Sequence, residues 1–410
     1  MSTEVLKGVR VLDLSRVWAG PMSARLLADM GAEVIKVQEV RPVSQGAGQG
    51  GGGGPLGGYP LTYEGNKLLV TLDFETSKGR EILERLVAIS DVLVENHRPV
   101  VLERAGLSFE HLQAINPGLI MVSITYAGHT GPERNYAGFG HGIDGLASMA
   151  FHNGYYDEDQ PMRSGVAYGD CPTGLHTVGA ILAALRHRRR TGEGQYIDVS
   201  LREGVLAQMS ELFMEYAINR RFFPRLGNRE LGLAPVGCYR CQGDDCWITI
   251  SATNDDQWLA LRRVMGEPEW AQEKRFQDMA GRWAHHDALD QHINVWTRDK
   301  DAWELAIQLQ AAGVAATPAA SVMEILNCSP PHLDRRFWEK VSVAGVGAYQ
   351  IPAAPWHLSK TPAQRPAAPA TYAQHNEDVF LGILGLSREE YKTLQHEGII
   401  SAGTLEPSGS

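Results

Sequence analysis

The first 125 residues alternate between short apolar runs and longer segments whose apolar positions lie three and four residues apart. The short runs predict buried strands, and the longer segments predict helices that present one apolar face. The predicted strands are Lys7–Leu14, Ala32–Val40, Leu68–Phe74, Asp91–Glu95 and Leu119–Ile124. The predicted helices are Met22–Met30, Arg80–Ala88 and Phe109–Ile115. This alternation predicts a doubly wound α/β domain, in which helices cover both faces of a parallel sheet.

A further helix and strand are predicted between Asp170 and Leu201. Pro172 lies in the predicted first turn of this helix, where proline is favoured. One apolar face is predicted from residues spaced by three and four, namely Leu175, Val178, Ile181, Leu182 and Leu185. Asp170 is therefore expected at or next to the N-cap, where free backbone N–H groups and the helix dipole favour a carboxylate. This stretch alone is compatible with a capping role or with a chemical role. The neighbouring His176 is expected to be packed rather than catalytic.

The pattern changes after residue 220. Val236–Ala252 predicts two strands around a turn, and helical segments follow near Gln257–Met265 and Trp303–Gln310. The run Ile351–Ala370 is rich in Pro and Ala, which is typical of a linker, and closing helices are predicted for Asn376–Leu386 and Glu389–Glu397. The chain is thus divided into residues 1–220, a small α+β domain of residues 221–330, and a linker with a C-terminal segment, residues 331–410.

Composition narrows the classes of function. The chain has 410 residues, of which 43% are hydrophobic and 21% charged, as in ordinary globular proteins. Its net charge of −10 argues against non-specific binding of nucleic acid, which requires a basic surface. No apolar run reaches the roughly 18 residues of a membrane span. Five cysteines and the absence of a signal-peptide pattern predict a reduced, cytoplasmic location. Small molecules are the expected partners, without a nucleic acid or a membrane.

Two local patterns suggest sites that their surroundings do not support. Cys238, Cys241 and Cys246 could suggest a metal, but a strand would place the first two on opposite faces and no further ligands follow at the usual spacing. We therefore expect no metal site. In the glycine-rich stretch Gln45–Tyr59, three glycines fit G-x-G-x-x-G formally. More glycine and Pro55 follow instead of a helix, so a mobile loop is predicted. Whether that loop closes over a substrate stays open.

Seven motifs in a fixed order resemble the class III CoA-transferases, the formyl-CoA transferase or CaiB/BaiF family. They cover most of the chain, and one of them alone would be a weak signal. The motifs are Val11–Pro21, Leu26–Val37, Thr71–Phe74, Asp91–Asn96, Leu102–Leu107, Ile115–Ile120 and the Asp170 block with its R-x-T-G-x-G-Q-x-x-D-V-S-L continuation.

The resemblance implies a mechanism and a set of contacts. Asp170 would be the nucleophile that carries first an acyl group and then CoA, with acyl-CoA as substrate and no tightly bound cofactor. The positions that match the family's CoA contacts, together with the neighbouring Arg98, are Val17, Ala19, Leu72, Asn96, Arg98 and Arg104. The family's fold would be an interlocked homodimer, with a large Rossmann-like domain and a smaller inserted domain. Residues 331–410 would then return to the large domain.

The sequence also departs from the family pattern. Glu39 and Glu75 stand where the family often has basic residues, and Arg41 and Lys78 are the nearest basic side chains. Gly140 stands where we align an acid in many relatives. The surrounding G-P-x-x-N-Y-x-x-F-G pattern is similar to the branch that uses succinyl-CoA with dicarboxylic or aromatic acids. Small carboxylic acids are therefore the expected acceptors. Substrate contacts are predicted for Arg16, Trp18 and His141, and Arg25 and Arg134 are further candidates for a second carboxylate.

Two other functions stay open at this point. Acyl-CoA racemases of the same fold use an Asp and a His as bases, and His141 could be the second base. The racemase pattern, however, places its histidine where Phe139 stands here. The chain could also be the non-catalytic CoA-binding subunit of a heteromeric transferase. The presence of Asp170 argues against that alternative.

Overall fold

The computed structural model describes residues 4–40, 62–328, 335, 337–343 and 347–401. The chain divides into two compact units. The large unit contains Met1–Met149, Arg163–Met214 and Arg335–Ser410, and the small unit contains Ala150–Met162 and Glu215–Asp334. The glycine-rich stretch Gln45–Tyr59 and Arg41 lie outside the described residues, so the prediction of a loop there is not tested.

A six-stranded parallel sheet forms the centre of the large unit. The strands are β1 (Arg10–Asp13), β2 (Glu33–Gln38), β3 (Leu68–Thr71), β4 (Val92–Glu95), β5 (Ile120–Thr125) and β6 (Gln195–Ser200). Their order across the sheet is β3-β2-β1-β4-β5-β6, and every neighbouring pair is parallel. This is the strand order of the Rossmann fold. It confirms the predicted parallel α/β architecture, and each strand predicted before residue 125 is present.

Helices connect these strands. They are α1 (Ala19–Asp29), α2 (Ser77–Ala88), α3 (Pro99–Ala105), α4 (Phe109–Ile115), α5 (Gly140–Leu146), α6 (Met149–His152), α7 (Asp170–Thr191), α8 (Leu201–Leu206) and α9 (Ser210–Asn219). Local sequence explains several of their ends. The hydroxyl of Thr76 accepts the Gly79 N–H at the start of α2, and that of Ser108 accepts the His111 N–H at the start of α4. Gly192 ends α7 at a φ of 82°, a left-handed conformation that glycine adopts without strain.

Alternate residues of each strand pack into separate cores on the two faces of the sheet. Leu12 of β1 and Leu93 of β4 belong to the core beneath α2, α3 and α4. Val11 and Val94 belong to the core beneath α1 and α7. Side chains alternate along a strand, so a strand buried on both faces must be apolar at successive positions. This requirement explains why the strands are recognisable in the sequence as continuous apolar runs.

The long helix α7 packs with most of its predicted apolar face, since Val178 and Ile181 are buried and Leu182 and Leu185 pack against the same core. The exception lies in its first two turns. Leu175 is 50% exposed, and the adjacent His176 is exposed as well, so both predictions were wrong. The buried residues of α7 are Thr173, Gly174, Thr177, Val178, Ile181 and Ala184. A Cβ at Gly174 would lie 2.8 Å from Met22 Cε and 3.1 Å from the Ala19 carbonyl oxygen. Close approach to α1 therefore selects small residues at the start of α7, and the leucine is left on the opposite side.

The small unit contains a three-stranded antiparallel sheet. Its strands β7 (Val236–Arg240), β8 (Trp247–Ser251) and β9 (Ala315–Pro318) pair in that order. The helices are α10 (Asp255–Met265), α11 (Met279–Ala284), α12 (His286–Thr297), α13 (Ala302–Ala311) and α14 (Val322–Cys328), with 3₁₀ turns at Glu269–Gln272 and Lys274–Phe276. The predicted strand pair and both predicted helical segments are confirmed.

The C-terminal part of the large unit packs against its sheet. A hairpin of β10 (Trp338–Val343) and β11 (Gly347–Pro352) comes first, and the last two residues of β11 lie within the run Ile351–Ala370 that was predicted to be a linker. A π-helix (Asp378–Ile383) and α15 (Arg388–His396) follow, and Phe380 and Leu394 lie in the same core as β1 and β4. Within the described ranges, the helices lack the length and apolar character needed to cross a membrane.

Candidate active site

The order of the strands creates a crevice between β1 and β4. The chain leaves β1 toward β2 on one side and leaves β4 toward β5 on the other, so the loops after these two strands diverge. Ligands of open parallel sheets bind at such a point, at the carboxyl ends of the strands. The turn from Leu14 to Trp18 follows β1, and Asn96 follows β4. The site is therefore expected where these two segments meet.

Asn96 fixes the turn after β1 from the side of β4. Its Oδ1 accepts the Arg16 N–H at 2.7 Å, and its Nδ2 donates to the Arg16 carbonyl oxygen at 2.6 Å. The neighbouring His97 donates from Nε2 to the Leu14 carbonyl oxygen at 3.0 Å, since a carbonyl can only accept. Burial is the main cause that lowers the pKa of His97 to about 4, and the charge of Arg16 contributes to this shift. His97 is thus a neutral donor at physiological pH.

Val17, in the centre of this turn, has an unusual backbone conformation. Its φ is +68°, and its side chain is 51% exposed. Positive φ in a β-branched residue is a true outlier, and such strain costs about 1–3 kcal/mol. A Cβ at Gly20 would lie only 2.3 Å from the Ser15 Cβ, so the turn is tightly closed and residue 20 must be glycine. Strain of this kind is typical of functional sites.

Asp170 lies in the first turn of α7, opposite the start of α1. The Ser23 hydroxyl donates to the carbonyl oxygens of Ala19 at 2.6 Å and Gly174 at 3.1 Å, which joins the first turns of the two helices. The backbone of Ala19 lowers the pKa of the Asp170 carboxyl group by hydrogen bonding, and only its N–H can donate to a carboxylate. The carboxylate thus receives a hydrogen bond from the turn after β1, although 151 residues separate the two segments. The prediction that Asp170 begins the helix is confirmed, with Gly169 at the N-cap.

The environment of Asp170 raises its pKa to about 6. Burial is the main cause, the hydrogen bond from Ala19 opposes it, and the nearby negative charge of Asp144 adds to it. A carboxylate with a raised pKa is a stronger nucleophile, and this one is still ionised at neutral pH. The position therefore suits a carboxylate that attacks an electrophilic carbon.

Gly140 leaves room for the Asp170 side chain. A Cβ at residue 140 would lie 2.6 Å from Asp170 Oδ2 and 2.2 Å from the Ala167 Cβ. The start of α5 therefore approaches Asp170 so closely that only glycine fits. The acid that we aligned with this position in relatives has no space here.

Asp144, on the same helix α5, supports the segment that leads into Asp170. It is 1% exposed, and its carboxylate accepts the N–H groups of Tyr168 at 3.3 Å and Gly169 at 3.2 Å. His141 Nδ1 lies 4.0 Å from Asp144 Oδ2. No local pattern in the sequence distinguishes Asp144 from a solvated acid, because its partners lie about 25 residues further along the chain.

Replacing Asp144 with asparagine is expected to shift the pH dependence of the reaction. The loss of a neighbouring negative charge lowers the pKa of Asp170, so the acidic limb of the pH–rate profile moves to lower pH. The profile of kcat/KM for Asp144→Asn against wild type measures this shift. Glu193→Gln removes the same charge beyond the far end of α7, where residue 193 is exposed, and should leave the limb in place. An unchanged limb in Asp144→Asn would contradict the prediction.

The predicted CoA contacts lie along the same edge of the sheet, but their side chains differ in accessibility. Val17, Arg98 and Arg104 are exposed, and Asn96 is half-buried. Leu72 is fully buried, so only its backbone could reach a ligand. Asn96 holds the turn that contains Val17 and leads into Ala19, and the Ala19 backbone reaches Asp170. Arg98 and Arg104 lie instead at the N-cap and in the last turn of α3.

The charged residues that depart from the family pattern have partners within the chain. Glu39 pairs with Arg16. Burial lowers the pKa of Arg16, and the charge of Glu75 partly opposes that shift. Lys78 donates to both oxygens of the Glu397 carboxylate, at 2.6 and 2.7 Å. Arg16 is thus paired with Glu39 and also feels the charge of Glu75.

The other predicted substrate contacts are placed as follows. Trp18 is buried and stacks on Tyr63 with ring centroids 6.1 Å apart. His141 is half-buried and adjoins Gly140. Arg25 is buried in an ion pair with Asp29, so its guanidinium is not available to a substrate, and Arg134 pairs with Glu103.

Groups of acids, histidines and cysteines that could hold a metal ion are absent from the described part of the chain. Cys238, Cys241 and Cys246 are free thiols.

Comparison with known proteins identifies the family. The family model for CoA-transferase family III matches residues 6–376. The chain is 35% identical to succinyl-CoA–D-citramalate CoA-transferase of Chloroflexus aurantiacus, over 96% of this chain and 98% of that protein. It is 34% identical to succinate–glutarate CoA-transferase of Agrobacterium fabrum, over 78% of this chain and 81% of that protein.

A solved structure shows the same fold. The crystal structure of a CaiB/BaiF family protein from Brucella suis matches with a TM-score of 0.82 at 31% identity, and the match covers 92% of this chain and 98% of that one. Both the family match and this structural match extend over nearly the whole chain. The chain therefore belongs to CoA-transferase family III, as its seven motifs predicted, and it is a CoA-transferase that acts between acyl-CoA and carboxylic acids.

Proposed function

We propose that this enzyme transfers CoA from succinyl-CoA to a second carboxylic acid through covalent intermediates on Asp170. The observation that carries the proposal is the Asp170 carboxylate itself, which begins α7, receives the Ala19 N–H and has a pKa of about 6. Two similar proteins have names that specify succinyl-CoA or succinate as one reaction partner. The sequence pattern of residues 131–140 independently favours the same donor.

The proposed reaction has four steps. An Asp170 carboxylate oxygen attacks the thioester carbonyl carbon, and the carbon–sulfur bond breaks to give a mixed anhydride and CoA thiolate. The thiolate then attacks the Asp170 carbonyl carbon, which releases succinate and leaves an aspartyl-CoA thioester. The acceptor carboxylate attacks that thioester and forms a second anhydride with release of the thiolate. The thiolate finally attacks the acceptor's acyl carbon and regenerates the Asp170 carboxylate.

These four steps need no net proton transfer and no bound cofactor, and they keep the acyl group activated throughout. Negative charge develops on the carbonyl oxygen of Asp170 when the thiolate attacks it. The Ala19 N–H is directed at that carboxyl group, and a fixed donor of this kind stabilises such charge most when water is excluded. Burial of the carboxyl group, which raises the pKa of Asp170, supports a site with little water around the nucleophile.

We further propose CoA contacts at Val17, Ala19, Leu72, Asn96, Arg98 and Arg104. The exposed guanidinium groups of Arg98 and Arg104 suit the CoA phosphates, since guanidinium pairs with phosphate in a fork. Arg16, Trp18 and His141 remain our proposals for contacts to the acids. Arg16 is the candidate to bind a second carboxylate of the substrate, because it lies in the turn after β1. Its guanidinium would leave Glu39 and pair with the substrate carboxylate.

Trapping the covalent intermediate tests the proposed function. Wild type and Asp170→Ala are incubated with succinyl-CoA, and intact-protein mass spectrometry records covalent additions. An acyl- or CoA-sized addition that hydroxylamine removes is expected on wild type only. Acetyl-CoA and formyl-CoA serve as competing donors, and malate, citramalate, glutarate and oxalate as acceptors. An addition of equal size on Asp170→Ala would show that another residue is the nucleophile.

We propose a homodimer as the working assembly and a cytoplasmic location. Helix α9 has no buried residue, although it carries Phe213, Met214, Tyr216 and Ile218, which are 45–68% exposed. A helix with exposed aromatic and aliphatic side chains is typical of a surface that another chain covers. Relatives named as the alpha and beta subunits of one transferase make a mixed assembly the alternative. Light scattering of the purified chain should give twice the chain mass, and activity of this chain alone would exclude the need for a second subunit.

A further inference from the structure

Four charged side chains are buried together beneath the turn that follows β1. Asp13 is the last residue of β1, Lys36 lies in β2, and Glu64 and Lys67 precede β3. All four are at most 8% exposed. Burying charges costs free energy unless they are paired, and the two acids and two lysines balance one another. We refer to these four residues as the buried quartet.

The contacts within the buried quartet are close and reciprocal. Lys67 Nζ lies 2.9 Å from Asp13 Oδ2 and 2.8 Å from Glu64 Oε2. Lys36 Nζ lies 3.4 Å from Asp13 Oδ1 and 3.6 Å from Glu64 Oε1. Burial alone would lower the pKa of Lys67, but Asp13 and Glu64 outweigh it and raise that pKa. Both acids therefore keep Lys67 charged at all physiological pH values.

Each lysine also donates to one end of the turn. Lys36 Nζ donates to the Ser15 carbonyl oxygen, and Lys67 Nζ donates to the Pro21 carbonyl oxygen at 3.0 Å. Buried ion pairs are often no more stabilising than apolar side chains of the same volume. Apolar residues at these positions could fill the space, but they would leave both carbonyl groups without these donors. Compared with apolar side chains, the two lysines therefore add hydrogen bonds that fix the geometry of the turn.

The segment between the two carbonyl groups that accept from the lysines, residues 15–21, contains the strained residue of the turn. Val17 has its φ of +68° there, and Asn96 fixes both backbone groups of Arg16. A conformation that costs about 1–3 kcal/mol persists only when surrounding contacts determine it. The Ala19 N–H lies between the attached carbonyl groups, so its direction depends on both attachments.

We propose that Lys36 and Lys67 are positioning residues of the reaction, which hold the strained turn so that the Ala19 N–H is directed at Asp170. The proposal rests on the proposed function, because it assigns the Ala19 N–H a role at the nucleophile. The two lysines do not touch the reacting atoms. They act through the backbone of the turn, and the two acids of the quartet keep them charged and in place.

The double variant Lys67→Met/Glu64→Gln tests the proposal without leaving a buried charge unpaired. It removes the donor to Pro21 and keeps Asp13 paired with Lys36. We expect adduct formation at saturating succinyl-CoA to be slowed about 10–100-fold, since small misplacements near the chemistry have effects of this size. The acidic limb of its pH–rate profile should also move to higher pH, because a weakened N–H donor no longer lowers the pKa of Asp170.

Two further variants separate positioning from general stability. Lys36→Met/Glu64→Gln removes the donor to Ser15 and should give the same shift, so one informative variant remains if the other does not fold. Arg282→Met is the matched control in the small unit. Arg282 is fully buried and donates to the carbonyl oxygens of Ala234 at 2.8 Å and Phe276 at 3.3 Å. At temperatures below each variant's Tm, this control should keep the wild-type rate and acidic limb.

The outcomes distinguish this proposal from the proposed function. A wild-type rate and acidic limb in both lysine variants would overturn the positioning role. If the lysine variants and Arg282→Met were slowed equally and all kept the wild-type acidic limb, the quartet would only stabilise the fold. That result would also overturn the positioning role. An adduct on Asp170→Ala would instead overturn the proposed nucleophile, whatever the lysine variants do.

Discussion

Replacing Asp170 with alanine should reduce kcat/KM for CoA transfer by at least about 10⁴-fold, the scale of loss when a covalent nucleophile is removed. The carboxylate forms and breaks both covalent bonds of the proposed reaction, so no remaining group can take its place. Asp170→Asn should be similarly inactive, because an amide is a poor nucleophile although it keeps the shape of the side chain. Steady-state transfer from succinyl-CoA, with each variant's fold checked by circular dichroism, measures the effect.

The neighbouring thiol provides the matched control for this prediction. Cys171 is half-buried next to Asp170, and burial together with the Asp170 charge raises its pKa. It is therefore protonated at neutral pH and a weak nucleophile. Cys171→Ser should keep activity within a few-fold of wild type. If Cys171→Ser were inactive and Asp170→Ala retained its adduct, the covalent role would belong to the thiol.

Replacing Gly140 with alanine should reduce kcat by about 100-fold, which is the second largest expected effect. The added Cβ would lie 2.6 Å from Asp170 Oδ2 and 2.2 Å from the Ala167 Cβ, so the carboxylate must move. Overpacking of this kind also destabilises a protein, by about 1–3 kcal/mol. The rate of adduct formation and the Tm of the variant should be measured together.

Gly145→Ala is the matched control, because it makes the same change on the same helix α5. A Cβ there meets no atom within 4 Å, and alanine is the better helix former. Gly145→Ala should keep wild-type activity with an equal or slightly higher Tm. If Gly140→Ala were also fully active, the position of Asp170 would tolerate displacement and the close contact at residue 140 would have no catalytic consequence.

Local sequence was sufficient for the parts of the structure whose physical causes are local. Strands β1 to β5 are largely buried on both faces, so they are apolar runs that can be recognised without knowledge of the fold. Asp170 precedes Cys171 and Pro172, and a proline in the first turn places the acid at the start of α7 whatever packs around it. The order of these elements, together with the motifs on them, determined the family.

Only the tertiary structure decided which groups meet at Asp170. The first turns of α7 pack against α1 through Gly174, and this close approach leaves Leu175 exposed although the apolar spacing predicted it to be buried. Asp144 and the lysines of the buried quartet resemble ordinary surface charges in the sequence, because burial and pairing arise from segments distant along the chain. The sequence by itself determined the elements, the family and the position of the nucleophile on its helix. The hydrogen bond from Ala19, the space left by Gly140 and the strained turn depend on long-range packing, which no local pattern encodes.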